Sequence, residues 1–171
     1  MQRKHYRTIF ETKAMKELPI QPHIFECQME ELAADEQQLL KEAIAATDRS
    51  YAPHSHFHVG AALLLEDGRV LPGCNQENAA FPAGLCAERA AIFAAGAQFP
   101  DVPPVALAIA ARDTTGQLTV QPVSPCGTCR QVIIETEKRY GQPLRILLYG
   151  QSRVFVMDGI SHLMPLSFTD F

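Results

Sequence analysis

The chain has 171 residues, 47% of them hydrophobic and 20% charged, proportions that fit one soluble globular domain with room for a core. Its apolar runs break early, Val59–Leu65 at Glu66-Asp67-Gly68 and Val105–Ala111 at Arg112-Asp113, well short of the roughly 20 residues of a membrane helix. The formal net charge is -4 and Lys and Arg form no long run, which argues against a grip on nucleic acid and for a small substrate.

The opening residues, Met1-Gln2-Arg3-Lys4-His5-Tyr6, are basic, but no apolar stretch follows them, so no secretory signal is read there. Tyr6, Thr8 and Phe10 alternate loosely, and Pro19 and Pro22 forbid a long helix. Residues 1–28 are therefore expected to be a leader or surface arm rather than an integral strand, ahead of a single domain over 29–171.

A helix is expected from about Glu30 to Ala46, with Leu32, Leu39, Leu40, Ala43 and Ile44 on one stripe. After the loop Tyr51-Ala52-Pro53-His54-Ser55, Phe57–Leu65 and Val70–Cys74 read as strands joined through a two-residue turn at Asp67-Gly68. Pro82 and Gly84 make Asn75–Leu85 a loop. Ala87–Ala97 is apolar nearly all round and is expected to be a buried helix. Val105–Ala111 suits a central strand covered on both faces. A helix from about Cys126 to Tyr140 stops at Gly141, with Pro143 just beyond. Leu144–Tyr149 and Val154–Met157 complete the strands. That order implies an α/β fold, a three-layer α-β-α sandwich around a mixed sheet of about five strands.

The chemistry lies in Cys86-Ala87-Glu88-Arg89 and Pro125-Cys126-Gly127-Thr128-Cys129-Arg130. Zinc takes thiolates tetrahedrally, and catalytic zinc has three protein ligands with a fourth position for water. Cys86, Cys126 and Cys129 supply three, and Glu88, two residues beyond a ligand, is placed to move a proton without binding the metal. Helix starts carry partial positive charge that stabilises thiolates, and Cys126 and Cys129, at i and i+3, share a helix face. Arg89 and Arg130 are near enough in sequence to donate to the sulfurs and offset their excess negative charge. A closed structural zinc knot would need a fourth Cys or His, usually from a second paired motif. No second Cys-x-x-Cys pair is present, and a fourth sulfur from Cys27 or Cys74 would leave Glu88 unexplained. Five cysteines, three of them in these motifs, point to metal binding in a reducing, cytoplasmic setting rather than to disulfides. His54, His56 and His58 alternate and on a strand would share a face. With Phe57 and Val59 taking the core side, a second metal site there is the lesser reading.

At these residues the sequence resembles the small, single-domain cytidine deaminases. A ligand-x-Glu followed by Pro-Cys-x-x-Cys is the mark of zinc-dependent base deaminases. The likeness extends to Tyr51–Leu63, to Gly73-Cys74-Asn75-Gln76-Glu77-Asn78-Ala79, to Ser124–Gln131 and to the tail Leu163–Phe168, leaving only the leader outside it. The resemblance implies hydrolytic deamination of cytidine and deoxycytidine in pyrimidine salvage. It also implies that Asn75 and Glu77 hold the ribose hydroxyls, that Phe57 packs on the pyrimidine and that Ala87 offers its backbone N–H to the base. It further implies a homotetramer with shared sites, Phe168 stacking on the base next door and Phe81 lining the sugar pocket. His54 and Phe81 stand where relatives often carry tyrosine. Other readings are an aminohydrolase for another cytosine-containing nucleoside, a structural zinc module and an RNA editor, the last disfavoured by the acidic balance.

Overall fold

The computed structural model describes residues 16–169. Six strands, β1 Phe25–Cys27, β2 His58–Leu65, β3 Val70–Cys74, β4 Pro104–Arg112, β5 Arg145–Gly150 and β6 Arg153–Asp158, form one sheet in the order β1-β6-β5-β4-β2-β3. Three helices, α1 Ala34–Ala46, α2 Ala87–Gln98 and α3 Gly127–Tyr140, cover it. Only β4 and β5 pair in parallel, so the sheet is mixed, as expected. It has six strands instead of five because Phe25–Cys27, expected in the arm, pairs antiparallel with Val154–Val156. An ion pair at 3.0 Å between Glu26 and Arg153 accompanies that pairing. The alternation of Tyr6, Thr8 and Phe10 lies outside the described residues.

Each face of the sheet has its own core. On one face α1 lays Leu39, Leu40 and Ala43 against Ala62, Ala106, Ala108 and Ala110. On the other, α2 and α3 lay Ala91, Ile92, Ala95, Ile133 and Ile134 against Leu63, Leu107, Ile109 and Ile146. The first face is lined by alanines because the helix sits almost on the sheet. A Cβ placed on Gly60 would stand 2.1 Å from the Ala43 carbonyl oxygen. The same holds for α2 on the second face, where a Cβ on Gly73 would stand 2.3 Å from the Ala87 carbonyl oxygen. Glycine at these two positions is what allows backbone to meet backbone.

Two sequence expectations change in detail. The β2–β3 turn is wider than two residues: Leu65 donates to the Arg69 carbonyl at 2.9 Å across Glu66-Asp67-Gly68, and Gly68 takes φ +87. Helix α2 is not buried all round, since Phe93 and Ala97 on its outer side are exposed. Its inner stripe of small side chains is narrow enough to satisfy the sheet alone. No helix among the described residues is long and apolar enough to cross a membrane.

Strand β2 runs antiparallel to both β3 and β4, and β4 runs parallel to β5, so β3, β4 and β5 all point the same way. Helix α2 follows β3 and α3 follows β4. The two helix N-termini therefore start from the same edge of the sheet, beyond the carboxyl ends of these strands, where open α/β sheets bind ligands.

Candidate active site

Cys86 is the N-cap of α2 and Cys126 the N-cap of α3, and neither side chain makes a capping hydrogen bond to its helix. Both sulfurs are thus left for another partner, beside helix starts whose backbone N–H groups carry partial positive charge. Cys129 joins them from the first turn of α3. The three Sγ atoms lie within 4.8 Å of one another, with Cys86 and Cys126 3.8 Å apart. A tetrahedral zinc with bonds of about 2.3 Å sets its sulfurs roughly 3.8 Å apart, the separation of Cys86 and Cys126, with Cys129 within about an ångström of it. Among the described residues no further His, Cys, Asp or Glu joins the group. Cys129 is buried while Cys126 is exposed, so the cluster is open on one side to solvent, unlike a closed structural knot.

The sulfurs share protons. A hydrogen bond from Cys129, helped by Arg89, lowers the pKa of Cys86 to about 5. That same bond, with burial and the nearby Glu88 carboxyl, pushes Cys129 far up. Arg89 points Nη2 at the Cys86 sulfur at 3.6 Å and at the Gly84 carbonyl at 3.4 Å. Its Nε is buried without a partner among the described residues, a spare donor where three thiolates on a divalent ion would concentrate negative charge.

Glu88 is 4% exposed, in the first turn of α2. Burial raises the pKa of its carboxyl, which its own backbone N–H partly offsets and the negative charge of Cys86 reinforces. A carboxyl whose pKa is raised toward the working pH is better suited to general acid–base work than an ordinary one. Ala87 is the first residue of α2, so its N–H has no acceptor within the helix.

A cleft of about 480 Å³ opens beside Cys86, lined by His54, Asn75, Glu77, Asn78, Phe81 and Arg89 among others. Short bridges from Gln76 to Tyr51 and to Leu85 bring its walls together. Glu77 Oε2 accepts from the backbone N–H of His54 at 2.8 Å and of Ser55 at 3.2 Å. The Ser55 hydroxyl bond and the His54 N–H hold the Glu77 carboxylate below its ordinary range. The Asn75 amide accepts from Val59 N–H at 2.8 Å and donates to the Phe57 carbonyl at 2.9 Å. His54 meets Phe81 edge-on, with ring centroids 6.0 Å apart. Ser55, Asn78 and Leu85 line the cleft too; Ser55 and Asn78 fall within the motif stretches without having been singled out, and Leu85 is brought there by its bridge to Gln76.

Asn75, Glu77 and Phe81 thus stand in the cleft with Cys86 and Arg89. Phe57 is half-buried just before β2, and Phe168 lies across α3, its carbonyl taken by Gln131 Nε2 at 2.9 Å. Arg130 departs from the sequence expectation. Its guanidinium donates to the Pro125 carbonyl at 2.8 Å and the Leu163 carbonyl at 2.7 Å, rather than to a sulfur. One turn into α3 and half-buried, it reaches back over the helix start, where backbone carbonyls are the nearest acceptors. The histidine trio does not gather either. The chain turns at His56, which takes φ 54, and His58 is engaged at 3.1 Å with Ser50 Oγ.

A family model for the cytidine and deoxycytidylate deaminase zinc-binding region matches residues 33–140. The cytidine deaminase of Halalkalibacterium halodurans is 49% identical over 102 residues, which span 59% of this chain and 71% of that protein. The cytidine deaminase of Mycobacterium tuberculosis is 41% identical over 97 residues, 54% of this chain and 65% of that protein. Among solved structures, cytidine deaminase from Burkholderia pseudomallei superposes with a TM-score of 0.66 at 40% identity, covering 77% of this chain and 97% of that one.

Proposed function

Because the chain belongs to the cytidine and deoxycytidylate deaminase family, we propose that it hydrolyses cytidine and deoxycytidine to uridine and deoxyuridine, with zinc held by Cys86, Cys126 and Cys129. The observation that carries this reading is three sulfurs at zinc spacing, open on one side, next to a buried carboxyl at the edge of a nucleoside-sized cleft.

Bound zinc supplies Lewis acidity, which brings the pKa of water down toward about 7. The remaining work falls to the chain. Glu88 accepts a proton from the attacking water and delivers it to N3 of the cytosine, so that C4 becomes electrophilic as oxygen adds to it. The C4–N4 bond then breaks. Glu88 takes a second proton from the new C4 hydroxyl and passes it to the departing amino group, ammonia leaves, and a C4 carbonyl remains. Proton transfer of this kind contributes about 10²- to 10⁴-fold, or roughly 3 to 5 kcal/mol. Arg89 tempers the charge of the thiolates. Ala87 N–H orients the base, and Asn75 and Glu77 bind the sugar hydroxyls through the donor and acceptor positions left after they have fastened the loop. Phe57 packs against the pyrimidine.

The exposed rings of Phe81 (78%) and Phe168 (65%) support a further part of the reading. It is a homotetramer in which Phe168 reaches the site of a neighbouring subunit and Phe81 closes the sugar pocket. The three metal thiols suit a reducing, cytoplasmic compartment. The direct test follows cytidine by its ultraviolet absorbance in the zinc-loaded protein. Conversion to uridine that stops on chelation and returns with zinc is the expected result, and a loaded protein that leaves both nucleosides unchanged refutes the reading.

A further inference from the structure

The two cysteine-bearing helix starts are reached by different routes; the one to Cys126 meets the sheet backbone early, where Gly150 lies against Gln121-Pro122, and depends on side chains at its end. The chain from Val120 to Cys126 crosses Pro122 and Pro125, neither of which has an N–H to donate. Ser152 anchors its beginning, through backbone N–H and hydroxyl bonds to the Val120 carbonyl at 3.1 and 2.8 Å. Its end is held by Arg130, whose Nε takes the carbonyl of Pro125, the residue directly before the ligand. The same guanidinium takes the carbonyl of Leu163, 33 residues away, where the C-terminal tail begins. Further along α3, Gln131 takes the Phe168 carbonyl and Lys138 the Thr169 carbonyl. One helix thus carries two metal ligands at its start and the tail along its length. A single planar fork joins the two.

We propose that Arg130 is a positioning residue that couples seating of the Leu163–Thr169 tail to retention of the metal by Cys126. Two carbonyls held by one rigid guanidinium keep a fixed separation. A shift of the Cys126 loop therefore drags the tail, and release of the tail slackens the loop. By linkage the coupling acts in both directions. The proposal rests on the cysteine trio as a zinc site and is independent of which nucleoside is turned over.

The test uses the zinc-loaded full chain and two readouts, neither of which is activity. The first is the rate at which zinc passes to a chromophoric chelator. Arg130→Ala is expected to speed release by about tenfold, the low end of what loss of a group supporting a metal ligand costs. Arg130→Lys is expected not to restore the slow rate, because an ammonium cannot span both carbonyls. Gln131→Ala, which loosens only the far end of the tail, is expected to release zinc at or near the parent rate. The second readout is mass-detected cleavage after Leu166 and Phe168 by chymotrypsin. In the parent chain, chelation should raise it severalfold ahead of any cut within the sheet. In Arg130→Ala it should already be high and indifferent to zinc. Zinc release from Arg130→Ala at the parent rate overturns the proposal, as does full rescue by Arg130→Lys. The parent chain decides independently of any variant: tail cleavage that ignores chelation, or cuts that show no preference for the tail, also overturns it.

Discussion

Cys86 and Cys126 occupy equivalent posts, each the N-cap of the helix that follows, yet they are fastened by different means. Helix α2 rests its backbone on the sheet at Gly73, with no side chain between Ala87 and the strand. The start of α3 is tied through the reach of one arginine to carbonyls before and beyond it. Contact between backbones leaves little freedom, because protein interiors are close-packed, whereas a side-chain tie can be lengthened or released. Glu88, the proposed proton carrier, is on the rigid side, in the first turn of α2. The sulfur on the adjustable side is also the exposed one, Cys126.

The comparison can be broken or sharpened by four experiments, in descending order of effect. Glu88→Gln removes the proposed proton carrier without disturbing either fastening. Turnover of cytidine should fall by about 10²- to 10⁴-fold while zinc content, measured by atomic absorption, stays at one ion per chain; near-parent turnover would break the assignment. Gly73→Ala forces a Cβ into the Ala87 carbonyl and should cost about 3 kcal/mol of stability, together with zinc affinity. Gly60→Ala, an equally tight contact on the α1 face, should cost similar stability in thermal or urea unfolding but spare zinc affinity. If both variants lose zinc alike, the Gly73 contact has no special bearing on the metal.

Arg89→Ala leaves both fastenings intact and removes the donor to Cys86. A folded, zinc-containing protein with turnover lowered about tenfold is expected, and unchanged turnover removes the role. The smallest effect concerns the loop opposite the cysteines. The Glu77 carboxylate sits below its ordinary 4.5 because Ser55 and His54 bond to it. A depressed carboxyl contributes its hold on the loop above the unfolded pKa and loses it as pH falls through the folded one. The His54 and Ser55 amide signals should therefore shift together upon acidification below that ordinary value, and the step should vanish in Glu77→Gln.

The clustering of Cys86, Cys126 and Cys129 beside Glu88 was legible in the sequence because coordination demands particular residue types at narrow spacings, and helix starts announce themselves through the residues after Cys86 and Cys126. Five of the strands were legible because burial on one or both faces imposes alternation or an unbroken apolar run. Strand β1 was not. Three residues are too few to show a period, and Phe25–Cys27 is extended because β6 presents an edge to it. Arg130 differs from expectation for a related reason: its nearness in sequence to two cysteines points to sulfur, but its acceptors are backbone carbonyls, one of them 33 residues away. Carbonyls belong to every residue and leave no trace in composition. The loop bonds of Asn75 and Glu77 are hidden likewise, since they exist only after Tyr51 and Gln76 have come side by side.

The edge strand has a consequence for how this chain accommodates extra length. Strand β1 occupies the rim of the sheet opposite β3, with four strands between them, and β3 is the strand that leads into the cleft. Whatever precedes Phe25 therefore joins the sheet at the rim opposite β3, not at the strand that leads into the cleft.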